Sequence, residues 1–317
     1  MTVEIRMAFG TIGEKLFAWL KITRLQFYPM TWLAYSLGAL AQSVVSGRFS
    51  FQSYLLGYLI LFLIEFCTIL ANEYFDYESD RRNLNFSTFT GGTRALVEQK
   101  LTFREVRTGI FVALALIPLP GYFLISSAES GSFVTFLFLI ILGLILGLGY
   151  TVPPLKFSYR GVGEIVVGFT HSTYVILCGF VFQGGYWKDP VPWFLSVPLF
   201  LAVLGANILA GIPDRQADQA VSKLSIAVIF GPRAAAIFAI CFVCAAFLAG
   251  ALLGYLRLFP VPLWCWGLLV LPHGFLLLRS LLRFLRSDRL DGRINGILAL
   301  ALSYIIWFGL LPIIAIW

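Results

Sequence analysis

Charged side chains are scarce in this 317-residue sequence. Only 12% of the residues are Asp, Glu, Lys or Arg and 59% are hydrophobic, whereas soluble globular domains carry about 25% charged residues. This shortage excludes an ordinary soluble domain and predicts an integral membrane protein. The alternating apolar and polar residues of a membrane β-barrel are also missing. Helices are therefore expected to cross the lipid, because each helix satisfies its own backbone polar groups.

Several signatures of metal binding and catalysis are missing as well. The two histidines and all five cysteines fall within apolar segments, which argues against a zinc or haem enzyme. Cys241 and Cys244 have the spacing of a metal-binding pair, but no further ligands lie nearby, and we interpret them as small apolar helix residues. No Gly-x-Ser-x-Gly, Walker-type or Gly-x-Gly-x-x-Gly sequence occurs.

Nine apolar segments are about 20 residues long, the length that crosses a bilayer as a helix. They predict an all-α integral membrane fold with nine transmembrane helices in one bundle. The predicted spans are 25–45, 51–72, 107–126, 132–151, 163–183, 191–212, 234–256, 260–280 and 296–316. Two acidic clusters, four spans apart, suggest two four-helix repeats followed by a ninth helix.

The distribution of Lys and Arg predicts the orientation of these spans. With nine spans, 20 of the 23 basic residues fall on one side, and the exceptions are Arg48, Lys188 and Arg257. Because cytoplasmic loops are rich in Lys and Arg, we expect a cytoplasmic N-terminus and a C-terminus on the opposite side of what we take to be a bacterial inner membrane. The net charge of +7 belongs to this pattern and does not indicate nucleic-acid binding.

The two acidic clusters follow apolar spans on the predicted cytoplasmic side. In "ANEYFDYESD" (71–80), Asn72, Asp76 and Asp80 are spaced four residues apart, as are Asp214 and Asp218 in "PDRQADQAVSKLS". Residues four apart share one face of a helix, so each set can converge on one point. Glu73 and Glu78 project elsewhere on the helix, and we interpret both as bystanders. The clusters open the two long inner loops that we predict, 73–106 and 213–233.

Neighbouring carboxylates repel each other and favour a cation. Mg²⁺ binds oxygen ligands and commonly links one or two carboxylates to substrate phosphates, while Arg and Lys can hold further phosphate oxygens. A solvated, charged helix end is the alternative for either cluster alone. Two clusters in matching positions favour a shared site. A polyprenyl diphosphate has the diphosphate head and apolar tail that such a membrane-embedded site would accept.

The same motifs, in the same order, resemble the UbiA superfamily of intramembrane prenyltransferases. Asn72-x-x-x-Asp76-x-x-x-Asp80 is similar to its first Asp-rich motif, and "TRALVEQKLT" to the segment that follows it. "GYTVPPLKF" (149–157) is similar to the segment after the fourth helix, and "PDRQADQAVSKLSIAVIFG" (213–231) to the second motif. The likeness covers nearly the whole chain and implies a single transmembrane prenyltransferase domain over residues 1–317.

The resemblance implies a Mg²⁺-dependent reaction. A polyprenyl diphosphate ionises, and the allylic carbocation alkylates an electron-rich aromatic ring. The implied ligands of Mg²⁺ and diphosphate are Asp76, Asp80, Asp214 and Asp218, with Asn72 in support. The implied phosphate contacts are Arg94, Lys156 and Lys223, and Tyr150 is expected to orient the head group or face the cation.

The pattern departs from the family at two positions. Glu73 occupies the place where many members have Asn-Asp-Tyr or a similar acid after the motif's asparagine, and Ala210 stands where quinone-type members often have a further Asp. The second cluster is therefore expected to hold Mg²⁺ with fewer ligands.

Two polar residues within the spans leave alternatives open. Glu65 lies seven residues before Asn72, and an acid at membrane depth is a functional candidate. It either forms a hydrogen bond as a neutral group or binds the aromatic acceptor. His171 is either a packed, hydrogen-bonded residue or takes part in acceptor binding or proton removal.

The resemblance is nearest to the branch that acts on 1,4-dihydroxy-2-naphthoate in menaquinone biosynthesis. 4-Hydroxybenzoate and non-quinone acceptors remain alternatives. A secondary transporter is a further alternative, but transporter sites lie near the membrane midplane at broken helices, whereas these acids cluster at the ends of spans.

Overall fold

The computed structural model describes residues 13–127, 133–258, 261–287, 290 and 292–316. Within these ranges the regular secondary structure is helical, with no β-strand. The α-helices are α1 (13–22), α2 (Tyr28–Ser46), α3 (Phe51–Phe75), α4 (Tyr77–Arg82), α5 (Phe103–Leu116), α6 (Pro118–Ser126), α7 (Phe133–Leu148), α8 (Gly163–Phe169), α9 (Val175–Phe182), α10 (Pro190–Ala220), α11 (Ile226–Tyr255), α12 (Leu263–Cys265), α13 (Leu271–Leu285) and α14 (Asn295–Ile316).

Short segments of other helix types connect some of these elements. A single turn of π-helix, Thr170–Tyr174, joins α8 to α9, and a second, Trp266–Val270, joins α12 to α13. Phe157–Tyr159 forms a 3₁₀ turn after α7.

Seven helical units in the described ranges are long and apolar enough to cross a membrane. They are Phe51–Phe75, Phe103–Ser126, Gly163–Phe182, Pro190–Ala220, Ile226–Tyr255, Leu263–Leu285 and Asn295–Ile316. The protein is thus an all-helical integral membrane protein. Helix α7 is apolar but has only 16 residues, and the predicted number of nine transmembrane helices is not confirmed. The internal repeat stays a prediction.

Local sequence explains where several helices begin. Ser50 caps α3, because its hydroxyl accepts a hydrogen bond from the backbone N–H of Ser53. Thr102 and Glu105 form a reciprocal capping box at the start of α5. Such caps satisfy N–H groups that have no partner inside the helix, and Ser225 does the same for α11.

The long loop predicted over 213–233 is wrong. Helix α10 continues through Pro213 to Ala220, and α11 begins at Ile226, so the connection is only 221–225. Proline is tolerated in membrane helices where neighbouring groups satisfy the freed backbone. Within α11, Gly231 has a φ of 82° and kinks the helix. The second acidic cluster consequently lies on the last turns of a rigid helix.

The first acidic cluster lies on a nearly continuous helix. Asp76 separates α3 from α4, but its N–H bonds to the Asn72 carbonyl and the Asp80 N–H bonds to the Asp76 carbonyl, at 2.8 and 2.9 Å. These contacts preserve the helical i to i−4 pattern across the bend. Asn72, Asp76 and Asp80 therefore stay on one side.

Small residues bring α2 against α9. A Cβ on Gly38 would collide with the Ile176 carbonyl, and a Cβ on Gly179 would collide with the Tyr35 carbonyl. In membranes, such residues let helix backbones approach closely and pack by van der Waals contact. This contact fixes α2 as a wall of the cavity described below.

Candidate functional site

A cavity of about 380 Å³ extends from the acidic end of the bundle into its interior. This volume lies in the usual range of small-molecule sites. Its polar end is lined by α3, α4, the segment after α4, the end of α10 and the 221–225 turn. Deeper, the wall is largely apolar, with Leu61, Ile64, Val203 and Leu302 among its members, together with Glu65 and His171.

All four aspartates of the two predicted clusters line the polar end of this cavity. Hydrogen bonds tie the clusters together across the bundle. The Asn83 side-chain amide donates to Asp214 Oδ1 at 2.6 Å, and the Ser79 hydroxyl donates to Asp218 Oδ1 at 2.9 Å. The structure thus brings together residues more than 130 positions apart in the chain.

Lys223 bridges the two clusters electrostatically. Its Nζ lies 2.8 Å from Asp76 Oδ2 and 3.7 Å from Asp218 Oδ1. Burial lowers the pKa of Lys223, but the negative charges of Asp76 and Asp218 outweigh burial and leave that pKa well above its ordinary value. The side chain is therefore a permanent cation at the mouth of the cavity.

The negative charge at this end is not fully offset. Burial raises the pKa of the Asp80 carboxyl well above its usual range, and the neighbouring charges of Glu73 and Asp76 act in the same direction, against Arg24 and Lys223. A carboxylate that is desolvated beside other carboxylates gains from any added cation. The electrostatics favour a positively charged ligand here.

Two further predicted residues lie at the cavity. Asn72 lines it and accepts a hydrogen bond from the Thr151 hydroxyl at 3.0 Å. Tyr150 also lines it, and burial raises the pKa of its phenol above the ordinary value. The Tyr150 hydroxyl therefore stays protonated and can donate a hydrogen bond.

Arg94 and Lys156 are not among the residues that line the cavity. Arg94 donates to the backbone carbonyl of Asp80 at 2.9 Å, and its guanidinium lies 4.2 Å from the centre of the Phe86 ring. Lys156 Nζ lies 3.9 Å from the centre of the Tyr159 ring. Both residues have a left-handed backbone, with φ of 63° and 46°, which sequence spacing does not reveal. The direct contact of both residues with phosphate stays a prediction.

Tyr159 was not identified by the sequence analysis. Its hydroxyl donates to Asp76 Oδ1 at 3.2 Å, and its ring contacts Lys156. Burial, together with the charge of Asp76, raises the pKa of Tyr159 to about 12. The phenol is therefore a stable hydrogen-bond donor that orients the Asp76 carboxylate.

The interpretation of Glu73 as a bystander is wrong. Its carboxylate is buried and accepts hydrogen bonds from the Thr93 N–H at 2.6 Å, the Thr93 hydroxyl at 2.8 Å and Arg24 at 3.2 Å. These contacts anchor the "TGGTR" segment over the acidic end. Gly92 has a φ of 69°, and a Cβ there would collide with the Asp80 carboxylate. Glu78, by contrast, is exposed and pairs with neighbouring arginines.

Replacing Glu73 with glutamine should loosen this segment. Loss of the charged acceptor removes about 2 kcal/mol of hydrogen bonding, which raises the locally open population roughly 30-fold when opening is fast. Chymotryptic cleavage at the exposed Leu84 and Phe86 should accelerate accordingly. Glu78→Gln is the matched control and should leave the cleavage rate unchanged. Equal cleavage of both variants would contradict the anchoring role.

The carboxylate oxygens at the polar end of the cavity suit a Mg²⁺ ion that is shared with a substrate. Within the described ranges, no three His, Cys, Asp or Glu side chains are grouped closely enough to form a metal cage. Mg²⁺ needs no such cage, since it keeps several waters and binds one or two carboxylates plus substrate phosphates. The paired carboxylate oxygens and the desolvated Asp80 supply the ligand type and the negative charge. The residues do not resemble a closed structural metal site.

A family comparison identifies the fold and the enzyme class. The model of the UbiA prenyltransferase family matches residues 30–314, nearly the entire chain. The chain belongs to the UbiA prenyltransferase family. It is accordingly an intramembrane prenyltransferase, and the secondary-transporter alternative is set aside.

Individual relatives of this UbiA-family chain have names that state different activities. A lycopene elongase/hydratase of Corynebacterium glutamicum is 27% identical over 261 residues, covering 81% of this chain and 83% of the relative. A 1,4-dihydroxy-2-naphthoate octaprenyltransferase of Bacillus subtilis is 24% identical over 176 residues, covering 54% and 53%.

Solved structures of UbiA homologues share the fold. One from Archaeoglobus fulgidus, bound to GPP and Mg²⁺, aligns with a TM-score of 0.60 at 18% identity, covering 93% of this chain and 99% of that one. One from Aeropyrum pernix aligns with a TM-score of 0.60 at 18% identity, covering 88% and 95%.

Proposed function

We propose that this UbiA-family enzyme transfers the prenyl group of a polyprenyl diphosphate to an aromatic acceptor at the cytoplasmic face of the membrane. One observation carries the proposal: four aspartates and Lys223 converge at the polar mouth of a cavity whose deeper wall is largely apolar. The mouth matches a diphosphate and the deeper wall matches an isoprenoid chain. The relative from A. fulgidus, which binds GPP and Mg²⁺, supports this assignment.

The residues at the mouth have two proposed roles in binding the prenyl diphosphate: some bind Mg²⁺ and others contact phosphate oxygens. Mg²⁺, when bound, offsets the negative charge of the diphosphate and of the pyrophosphate that leaves. Its proposed ligands are Asp76, Asp80, Asp214 and Asp218, with Asn72 in support. Lys223 and Arg24 both line this end, and we assign them to phosphate oxygens. Tyr159 orients Asp76, as its hydrogen bond indicates.

Arg94 and Lys156 act as positioning residues in this proposal. Arg94 supports the backbone at Asp80, and Lys156 packs on the ring of Tyr159. Arg94 thus contacts the acidic ligand Asp80 directly, whereas Lys156 reaches Asp76 through Tyr159. A change at either position should weaken donor binding by displacing that ligand.

The reaction follows from this placement. The bond between prenyl C1 and the diphosphate oxygen breaks with both electrons going to the leaving pyrophosphate. An aromatic carbon then forms a bond to C1, and its proton passes to the released pyrophosphate. Lys223 stabilises charge on the leaving group. The apolar wall excludes water, which would otherwise capture the allylic cation. Tyr150 lies at the cavity near the mouth and is proposed to orient the head group or face the cation.

For the acceptor, we propose 1,4-dihydroxy-2-naphthoate, which would place the enzyme in menaquinone biosynthesis. The sequence segments around Arg94 and Tyr150 and the B. subtilis relative support it. An isoprenoid alkene is a second candidate, because the lycopene elongase/hydratase aligns over 81% of this chain. 4-Hydroxybenzoate is an alternative aromatic acceptor.

The test uses the full-length protein in nanodiscs with geranylgeranyl diphosphate and three separate acceptors: 1,4-dihydroxy-2-naphthoate, 4-hydroxybenzoate and lycopene. We expect a prenylated product with the naphthoate in the presence of Mg²⁺. Chelation by EDTA should abolish formation of this product, and excess Mg²⁺ should restore it. If product forms with lycopene alone, the acceptor is an isoprenoid alkene and the aromatic acceptor is rejected. No product with any acceptor from folded protein would overturn the proposal.

A further inference from the structure

Polar groups deep in the cavity have unused hydrogen-bonding capacity. Glu65 and Thr31 both line the cavity. Both carboxyl oxygens of Glu65 and the hydroxyl of Thr31 are buried, and so is the hydroxyl of Tyr28, one turn earlier on α2. The Thr31 hydroxyl lies near the Glu65 carboxyl, but among the described residues none of these groups has a hydrogen bond of good geometry. A buried polar group without a hydrogen-bond partner destabilises the folded state. Three such groups in one region indicate a polar ligand.

The depth of Glu65 in the cavity indicates which substrate supplies this polar group. Glu65 precedes Asp76 by eleven residues, which corresponds to about 16 Å along the helix axis. A diphosphate bound at the aspartates cannot reach that far, and the prenyl chain carries no hydrogen-bonding group. The polar group that meets Glu65 and Thr31 therefore belongs to the acceptor.

His171 adds a hydrogen-bond acceptor to the same cavity. Its Nδ1 lies 3.2 Å from the Val167 carbonyl. Thr170 Oγ1 lies 3.1 Å from the same nitrogen. In the tautomer that donates from Nδ1 to the carbonyl, the neutral ring presents Nε2 as an acceptor. The residue lies in the π turn Thr170–Tyr174, and such turns are frequent at functional sites.

The available groups select a hydroxyl. An acceptor hydroxyl can donate a hydrogen bond to Glu65 or to His171 Nε2 and can accept one from Thr31. Its donor and its acceptor capacity are then both satisfied. A carboxylate at this depth would instead face the acidic side chain of Glu65, because Arg24 and Lys223, the Arg and Lys among the described cavity residues, lie at the mouth. The chemistry therefore distinguishes a hydroxyl from a carboxylate.

We infer that Glu65, Thr31 and His171 form a subsite that binds a hydroxyl group of the acceptor and holds the acceptor against the prenyl carbon. This inference rests on the proposed function, since it assumes that an acceptor enters the cavity. It assigns acceptor selection to the interior of the cavity and donor binding to its mouth. Any carboxylate on the acceptor points toward the basic residues of the mouth.

The test is equilibrium binding of 1,4-naphthalenediol and of naphthalene to the full-length protein in nanodiscs, without donor or Mg²⁺ and with empty nanodiscs subtracted. Wild-type protein should prefer the diol. Glu65→Met should weaken binding of the diol about tenfold, the equivalent of one hydrogen bond, and leave naphthalene unaffected. Glu65→Gln should restore most of the affinity. Glu78→Met, at an exposed position of α4, is the matched control and should bind both probes as the wild type does.

Thr31→Val provides a second variant that removes one hydroxyl with little change of shape, so the inference stays testable if Glu65→Met fails to fold. Equal loss of affinity for both probes, or no loss in either folded variant, would overturn the subsite. Because binding is measured without turnover, this outcome is separate from a failure of prenyl transfer in the acceptor assay.

Discussion

Replacing Asp76 or Asp214 with asparagine should reduce prenyl transfer by roughly 1,000-fold, which corresponds to about 4 kcal/mol of lost stabilisation by a metal at the leaving group. Asparagine keeps the size of the side chain but removes the negative charge that holds Mg²⁺. The Asn83 amide can still meet the remaining oxygen at position 214. The loss should therefore appear in turnover and in the Mg²⁺ concentration needed for activity, with little change in folding.

Asp189→Asn is the matched control for these variants. Asp189 caps the opposite end of α10 by accepting a hydrogen bond from the Val191 N–H, and asparagine is an equally good cap. Its activity should equal that of the wild type. Retained activity in Asp76→Asn or Asp214→Asn would show that the metal site is misplaced. Thermal unfolding of each variant in detergent separates a catalytic loss from a folding defect.

Replacing Lys223 with methionine should lower kcat/KM by roughly 100-fold, the usual effect of removing one group that stabilises a developing negative charge. The side chain bridges Asp76 and Asp218, so its loss also leaves two carboxylates facing each other across the mouth. We expect a raised KM for the donor and a lower kcat. Initial-rate kinetics with varied prenyl diphosphate measure both.

Two further variants serve as comparisons for Lys223→Met. Lys223→Arg keeps the charge and should recover part of the activity, although the planar guanidinium does not reproduce the compact ammonium. Lys188→Met removes an exposed lysine that contacts the ring of Trp187 and should have no effect. If Lys223→Met behaves like Lys188→Met, Lys223 has no role in donor binding.

Much of the fold follows from hydropathy and local spacing. The apolar segments predicted helices and a membrane location, and seven helical units meet the criterion for spanning a membrane. Helix ends were less predictable. Charged residues and Pro213 suggested a loop where α10 continues to Ala220, because the helix end is stabilised by partners from distant parts of the chain, such as Asn83 and Ser79.

The candidate site was predictable where the family resemblance and helical periodicity agree. Asn72, Asp76 and Asp80 were expected on one face, and the nearly continuous helix keeps them on one side of the cavity. Arg94 and Lys156 were expected to contact phosphate, and that stays a prediction. Neither residue lines the cavity, and spacing does not specify the left-handed backbone that both adopt.

The amino-acid sequence was sufficient for the membrane class, the helical architecture and the identity of the two acidic clusters, because hydrophobic length and the 3.6-residue period are local properties. Tertiary structure alone decided which groups pair at the site. Glu73 became an anchor only through Thr93 and Arg24, and Lys223 became a bridge only because α4 packs against α10. Such pairings depend on the approach of residues far apart in the chain, which no local period records.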